Sequence, residues 1–331
     1  MGFWSVLRRP NKLQDLPDSS NVRGITWYFT NTRGQIQFLH TIAVLYVIVF
    51  CFLVCWASVT LGLPLVFEDS PTTLKYAQAF MIYLCFFIES NYILLKLRAK
   101  DSHVLRKTNG DLPIGRISNV LNENQNKYHE QSPENEHERI NSWTQCSHCN
   151  IQVPPRARHC SICQTCVLKK DHHCFFTGCC IGFYNQRYFI RHCFLGIIGG
   201  TWGLYNLGTY LSINYAAFFS FQVYKYFLPY CVLSAMLGYV SIYEVFLVLL
   251  FYCHITSTAT SFYYFWWQLF IILRGQTSYE FMKKKRLYKD DFWPHMRSVF
   301  GPYWGIGFLF PISFMKNEGD GKTWQLNSKN M

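Results

Sequence analysis

Three long stretches of this chain contain no Asp, Glu, Lys or Arg: Gly34 to Phe67, His192 to Tyr224 and Val245 to Leu273. A hydrocarbon core of ~30 Å is crossed by about 20 helical residues, so each stretch is long enough to span a bilayer. A further span is read from Tyr76 to Leu95, interrupted by a single acid, Glu89. Charged residues make up only 15% of the 331, against about 25% in a globular chain. Their shortage is concentrated in these stretches, which excludes a single soluble domain. The expected fold class is an all-α multi-pass membrane protein with four transmembrane helices, at 38–62, 76–96, 192–215 and 245–273.

The basic residues orient the chain. Arg8, Arg9, Lys12, Arg23 and Arg33 precede the first span, whereas the short loop after it carries Lys75 beside Glu68 and Asp69. The region from Lys96 to Arg191 is basic again, and the tail holds Lys283, Lys284, Lys285, Arg286 and Lys289. Between residues 192 and 273 the only Lys or Arg is Lys225. The positive-inside rule therefore assigns residues 1–37, the loop 97–190 and the tail 274–331 to the cytosol. An even number of crossings must then separate loop and tail, so 216–244, with Pro229 and Gly238, is read as a lumenal or interfacial segment. Two acids fall in or near spans. Glu89 is read as interfacial beside Lys96, and Glu244 as a helix cap.

Within the loop, 97–143 is a linker. Its Asn119–Glu138 portion is rich in Asn, Gln and Glu, lacks the apolar residues needed to offset ordering entropy, and is expected to be flexible. Composition then changes abruptly over 144–190. Of the 14 cysteines, eight lie between Cys146 and Cys180 in CSHCNIQVPPRARHCSICQTCVLKKDHHCFFTGCC. In a reducing cytosol such density means metal or catalysis rather than disulfides. C-x2-C turns present two sulfurs to one ion, and zinc takes four thiolate or imidazole ligands at tetrahedral corners. Cys146, Cys149, Cys160, Cys163, Cys166 and Cys180, with His159 and one of His172 or His173, supply eight ligands, enough for two structural Zn2+. So short a segment needs metal to fold. Cys174, Cys179 and the other histidine of the pair are left over. A cysteine beside a histidine and Asp171, near two cations, has what a nucleophile requires: a base, an orienting carboxylate and a depressed thiol pKa.

These residues resemble the cysteine-rich domain of the DHHC protein S-acyltransferases (palmitoyltransferases). The likeness is close over residues 146–190 and continues through IGFYNQRYF, with Gly182, Asn185 and Phe189 at the family's positions. It implies that one zinc takes Cys146, Cys149, His159 and Cys166, and the other Cys160, Cys163, His173 and Cys180. It also implies Cys174 as nucleophile, His172 as general base and Asp171 as its orienting partner. The implied reaction is ping-pong. A long-chain acyl group, palmitoyl above all, passes from acyl-CoA to Cys174 and then to a cysteine of a substrate protein. Arg156, Arg158, Lys169 and Lys170 are candidate contacts for the CoA phosphates. Thr277-Ser278-Tyr279-Glu280 resembles the family's Thr-Thr-x-Glu segment, implied to pack near the catalytic region with a glutamate that is not itself catalytic. Val299-Phe300-Gly301 resembles part of its C-terminal aromatic motif, with His295 where Asn is usual.

The chain also departs from the family. Phe175-Phe176 replace Pro-Trp after the nucleophile, Gly178 and Cys179 replace an Asn pair, and Asn109-Gly110-Asp111 is the nearest approach to Asp-Pro-Gly. Slow turnover or an unusual chain preference would follow, and Cys179 is read as inert. The alternative reading is a catalytically weak or inactive zinc-stabilised membrane adaptor. Expected partners are membrane lipid, acyl-CoA and cysteine-containing substrate proteins at a Golgi or endoplasmic-reticulum membrane, with room for an accessory subunit. No nucleic-acid partner is expected, because the positive-inside bias accounts for the net charge of +12 and no recognition-helix pattern is present.

Overall fold

The computed structural model describes residues 32–104, 142–288, 292–309 and 316–326. The basic N-terminal residues through Lys12 and Arg23, Asn109-Gly110-Asp111 and the Asn119–Glu138 linker lie outside them. The described chain is mostly helical. Helix α1 (Thr32–Ala57) passes through a π turn, Ser58–Gly62, and ends in a short turn, Leu63–Val66. Helix α2 (Pro71–Ala99) starts on a proline, which forfeits only an N–H that would have had no helical partner. After the hairpins come α3 (Gln186–Asn214), α4 (Leu228–Met236), α5 (Ile242–Leu273), α6 (Ser278–Met282), α7 (Phe292–Phe300) and α8 (Trp304–Leu309).

Among the described residues, three helices are long and apolar enough to cross a membrane: Gly34–Val66, Pro71–Ser102 and Ile242–Leu273. Helix α3 has the length at 29 residues, but Arg187 and Arg191 in its first turns, five glycines and two asparagines dilute its apolar character. It begins six residues before the charge-free stretch does. Its glycines instead permit close packing on α5. A Cβ at Gly196 would lie 2.7 Å from Ser261 Oγ, and one at Gly203 would lie 2.5 Å from His254 Cε1. Small residues of this kind let helix backbones approach where lipid gives no hydrophobic drive for association. Glu244 does cap: it closes a capping box with Ser241 at the start of α5.

Two apolar clusters hold the bundle. One joins Val54, Ala57 and Leu63 to Leu207, Leu211, Leu247 and Val248. The other fastens the helices to the cysteine-rich region through Leu95, Ile181, Tyr188, Phe189, Ile272 and Phe300. The cysteine-rich region itself has a small core of Val153, Ala157, Leu168 and Phe183 around two cysteines, Cys146 and Cys166.

Candidate active site

Residues 144–181 form three antiparallel hairpins: β1 (Thr144–Cys146) with β2 (Ile151–Val153), β3 (Arg158–Cys160) with β4 (Thr165–Val167), and β5 (His172–Cys174) with β6 (Cys179–Ile181). They share one register. Thr144 faces Val153, Arg158 faces Val167, and His172 faces Ile181, so the hairpins repeat every 14 residues from 144 to 158 to 172. In each, the residue after the tight turn is left-handed: Asn150 (φ 52), Gln164 (φ 54) and Gly178 (φ 61). Asn and Gly tolerate that conformation best.

The repeat brings the predicted ligands together in two quartets, Cys146, Cys149, His159, Cys166 and Cys160, Cys163, His173, Cys180. The ligand atoms of each quartet lie within 4.8 Å of one another. In each, a C-x2-C turn of one hairpin meets a cross-strand pair of the next: His159 opposite Cys166, then His173 opposite Cys180. A zinc tetrahedron has S–S edges of about 3.8 Å and S–N edges of about 3.5 Å. Here Cys149 Sγ and Cys166 Sγ are 3.8 Å apart, Cys163 Sγ and Cys180 Sγ 3.7 Å, and His173 Nδ1 lies 3.3 to 3.6 Å from Cys160, Cys163 and Cys180. His159 Nδ1 stands 3.2 Å from Cys149 Sγ. Donor chemistry and spacing both fit the metal, and all 14 cysteines are free of disulfides.

Side chains along a strand alternate between faces. With His173 turned to the thiolates, His172 and Cys174 share the opposite face of β5. His172 Nδ1 donates to Asp171 Oδ2 at 2.7 Å, and its buried Nε2 has no hydrogen-bond partner. Tyr264 stacks on the imidazole and Phe189 meets it edge-on. Burial opposes charge on His172, but the bond to Asp171 and the neighbouring Cys174 outweigh it and raise the imidazole to about 10. Burial likewise pushes the Cys174 thiol up, and His172, aided by Thr177, brings it below its ordinary value. Cys179, directly across the hairpin from Cys174, moves the other way because burial dominates.

The Thr277–Glu280 segment has a physical explanation. It is a capping box: Thr277 accepts from the N–H of Glu280, and Glu280 accepts from the N–H of Thr277. The first N–H groups of a helix have no partner within it. That of Ser278 donates to Asp171 Oδ1 at 2.6 Å, and the Ser278 hydroxyl donates to Oδ2 at 3.0 Å. Glu280 also takes both nitrogens of a fork from Arg156, at 2.9 and 2.8 Å.

This corrects one expectation. Arg156 is no phosphate contact: its guanidinium is buried, bound to Glu280 and the Gly275 carbonyl, and stacked 4.4 Å from both Tyr288 and Trp324. Lys169 is buried too, and burial followed by the charge of Arg156 lowers it to about 7. Arg158 and Lys170 remain partly exposed, against Tyr279 and the His159 carbonyl respectively.

Beyond Cys174 a cavity of about 360 Å³ runs between α1, α2, α3 and α5. Cys174, Phe176 and Phe189 line one end, and Phe50, Val54 and His254 line it further along the helices. Glu89 also lines it, 8% exposed, with Oε1 unpartnered. Phe175 and Phe176 are each 44% exposed. Two residues at this site gave no sequence signal. Gln268 of α5 donates to Asp171 Oδ2 at 2.8 Å and accepts from Gln186 of α3 at 2.9 Å. A glutamine in an apolar run carries no spacing signature. The 14-residue repeat, by contrast, was there to be counted.

A family model described as DHHC palmitoyltransferase matches residues 139–285, which take in the three hairpins, α3 to α5 and the Thr277–Glu280 box. No curated protein matches the chain.

Proposed function

The chain carries a DHHC palmitoyltransferase domain over residues 139–285, and from that premise we propose that it transfers a long-chain acyl group from acyl-CoA to cysteines of substrate proteins. The observation that carries this reading is a buried cysteine on the same strand face as a carboxylate-bound imidazole, at the end of an apolar cavity between helices. Cys174 attacks the thioester carbonyl as thiolate, its proton having passed to His172. Collapse of the tetrahedral intermediate breaks the carbon–sulfur bond to CoA, and the CoA thiolate takes a proton from the imidazolium. A substrate thiol then loses its proton to His172, attacks the acyl-Cys174 carbonyl and leaves Cys174 free. Asp171 keeps the Nδ1–H tautomer, so that Nε2 faces the thiol, and stabilises the imidazolium. The acyl chain lies in the cavity through both steps.

The two quartets would hold structural zinc. The metal would supply a fixed hairpin stack, worth roughly 10–16 kcal/mol of folding free energy in small zinc domains. Helix α3 is read as the fourth crossing, so that the domain boundaries follow the sequence expectation with hairpins and tail in the cytosol. Membranes of the Golgi or endoplasmic reticulum are the proposed location.

The test is incubation of the purified full chain with labelled palmitoyl-CoA beside Cys174→Ser, followed by hydroxylamine. Hydroxylamine-sensitive label in the wild type, absent from the variant at two zinc per chain, is the expected result. Zinc-replete wild type that takes no label at any acyl length would leave the membrane adaptor as the better reading.

A further inference from the structure

We infer that Gln268 is a positioning residue for acyl transfer, held in one orientation by Gln186, so that two helices of the bundle set the carboxylate that orients the base. The inference rests on the transferase reading above.

An ionised carboxylate offers about four acceptor sites. Asp171 accepts four hydrogen bonds, Oδ2 from His172 Nδ1, Gln268 Nε2 and the Ser278 hydroxyl, and Oδ1 from the Ser278 N–H. All of this is buried: Asp171 is 3% exposed, Gln186 2% and Gln268 0%. A carboxylate bonded only by its own neighbour His172 and by Ser278 would retain freedom to swing about its Cα–Cβ bond. The third direction, from α5, removes that freedom.

The amide's orientation is decided by its other end. Gln186 Nε2 donates to Gln268 Oε1 at 2.9 Å, so the Gln268 NH2 group is the end turned to Asp171. Gln186 is the first residue of α3, five residues beyond the end of the third hairpin. The chain Gln186–Gln268–Asp171–His172 therefore crosses from α3 to α5 and back to β5.

A neutral donor suits this place. An amide satisfies an oxygen of Asp171 without cancelling its charge, which stays available to His172. A lysine or arginine there would bind the carboxylate more strongly and weaken its hold on the imidazole.

Hydrogen bonds to charged groups are worth about 1.5–3 kcal/mol, which corresponds to about ten- to a hundredfold in rate if the bond matters to the transition state. The experiment measures acyl-enzyme formation by full-length protein with palmitoyl-CoA for wild type, Gln268→Leu and Gln268→Glu, with zinc content and the KM for acyl-CoA. Gln268→Leu is expected to lose about tenfold or more in rate while keeping two zinc per chain and an unchanged KM. Gln268→Glu can bridge Asp171 only while its added carboxyl is protonated. Its rate relative to wild type is therefore expected to be close to one at low pH and to fall as pH rises.

Wild-type rates in both variants would overturn the positioning role. So would equal losses in both, with zinc lost in parallel and a ratio that is flat with pH, since that pattern marks damaged packing. Wild type that forms no acyl-enzyme at all would instead overturn the transferase reading, a result distinct from a labelled wild type with an indifferent Gln268.

Discussion

The second and third hairpins have the same backbone and different occupations. Both carry a His–Cys cross-strand pair on one face, His159 with Cys166 and His173 with Cys180, directed at a quartet able to hold a metal ion. On the other face, Cys160 is joined three residues on by Cys163, and both belong to the next quartet. Cys174 occupies the position equivalent to Cys160, but the position equivalent to Cys163 is Thr177. Among the described residues, no fourth hairpin follows to complete a further site. The third hairpin thus has the skeleton of a metal-binding unit with one face withheld from metal, and on that face stand Cys174, His172 and the cavity. The comparison teaches that a thiol can be left outside the metal-ligand quartets by the loss of one ligand from a repeat.

Neighbouring histidines should divide most sharply. His173→Ala breaks the shared skeleton, and like His159→Ala it is expected to lose metal and unfold the hairpins, measured as zinc per chain and as protease sensitivity. Full zinc and normal folding in either variant would sink the quartet assignment. His172→Ala, one residue away, should retain two zinc and lose about 10²–10⁴-fold in acyl-enzyme formation, the usual contribution of a general base. A rate within a few-fold of wild type would remove His172 from the mechanism.

Thr177→Cys tests the missing ligand directly. It restores the C-x2-C turn beside His172 and the cross-strand Cys179, and is expected to raise bound zinc above two per chain while lowering labelling about tenfold, since a metal-bound thiolate is a weaker nucleophile. Unchanged zinc and unchanged labelling would mean that position 177 does not separate the hairpins. The smallest effect is expected from Cys179→Ser. Its thiol is pushed up by burial and belongs to neither quartet, so labelling should stay within about twofold of wild type.

Much of this site could be read before any coordinates. The C-x2-C spacings announce metal because two thiolates at that separation reach one ion, and Cys174 stands out as a thiol left over beside Asp171 and the histidine pair. Which histidine serves which role was not readable from spacing, because adjacent residues differ only in strand face, and the face depends on register. The role of Arg156 is illegible in the sequence for a related reason. A basic residue on a zinc module looks solvated in sequence, and only the packing of α6 and Trp324 against it shows a buried pair. Breaking such a pair from one side costs about 3–5 kcal/mol, which marks Arg156 as architecture.

The sequence by itself determined the membrane-spanning character and the cysteine-rich insertion with its metal-ligand chemistry. Those are consequences of composition and short spacing, and both act within a few turns of chain. Only the tertiary structure decided that Ser278 and Gln268 converge on Asp171 from 107 and 97 residues away, with Gln186 bonded to Gln268 across 82, and that four helices leave a cavity where Cys174 emerges. The reason is physical. A hydrogen bond between distant residues depends on how whole helices pack, and a cavity depends on side chains from four of them at once, so neither leaves a local trace.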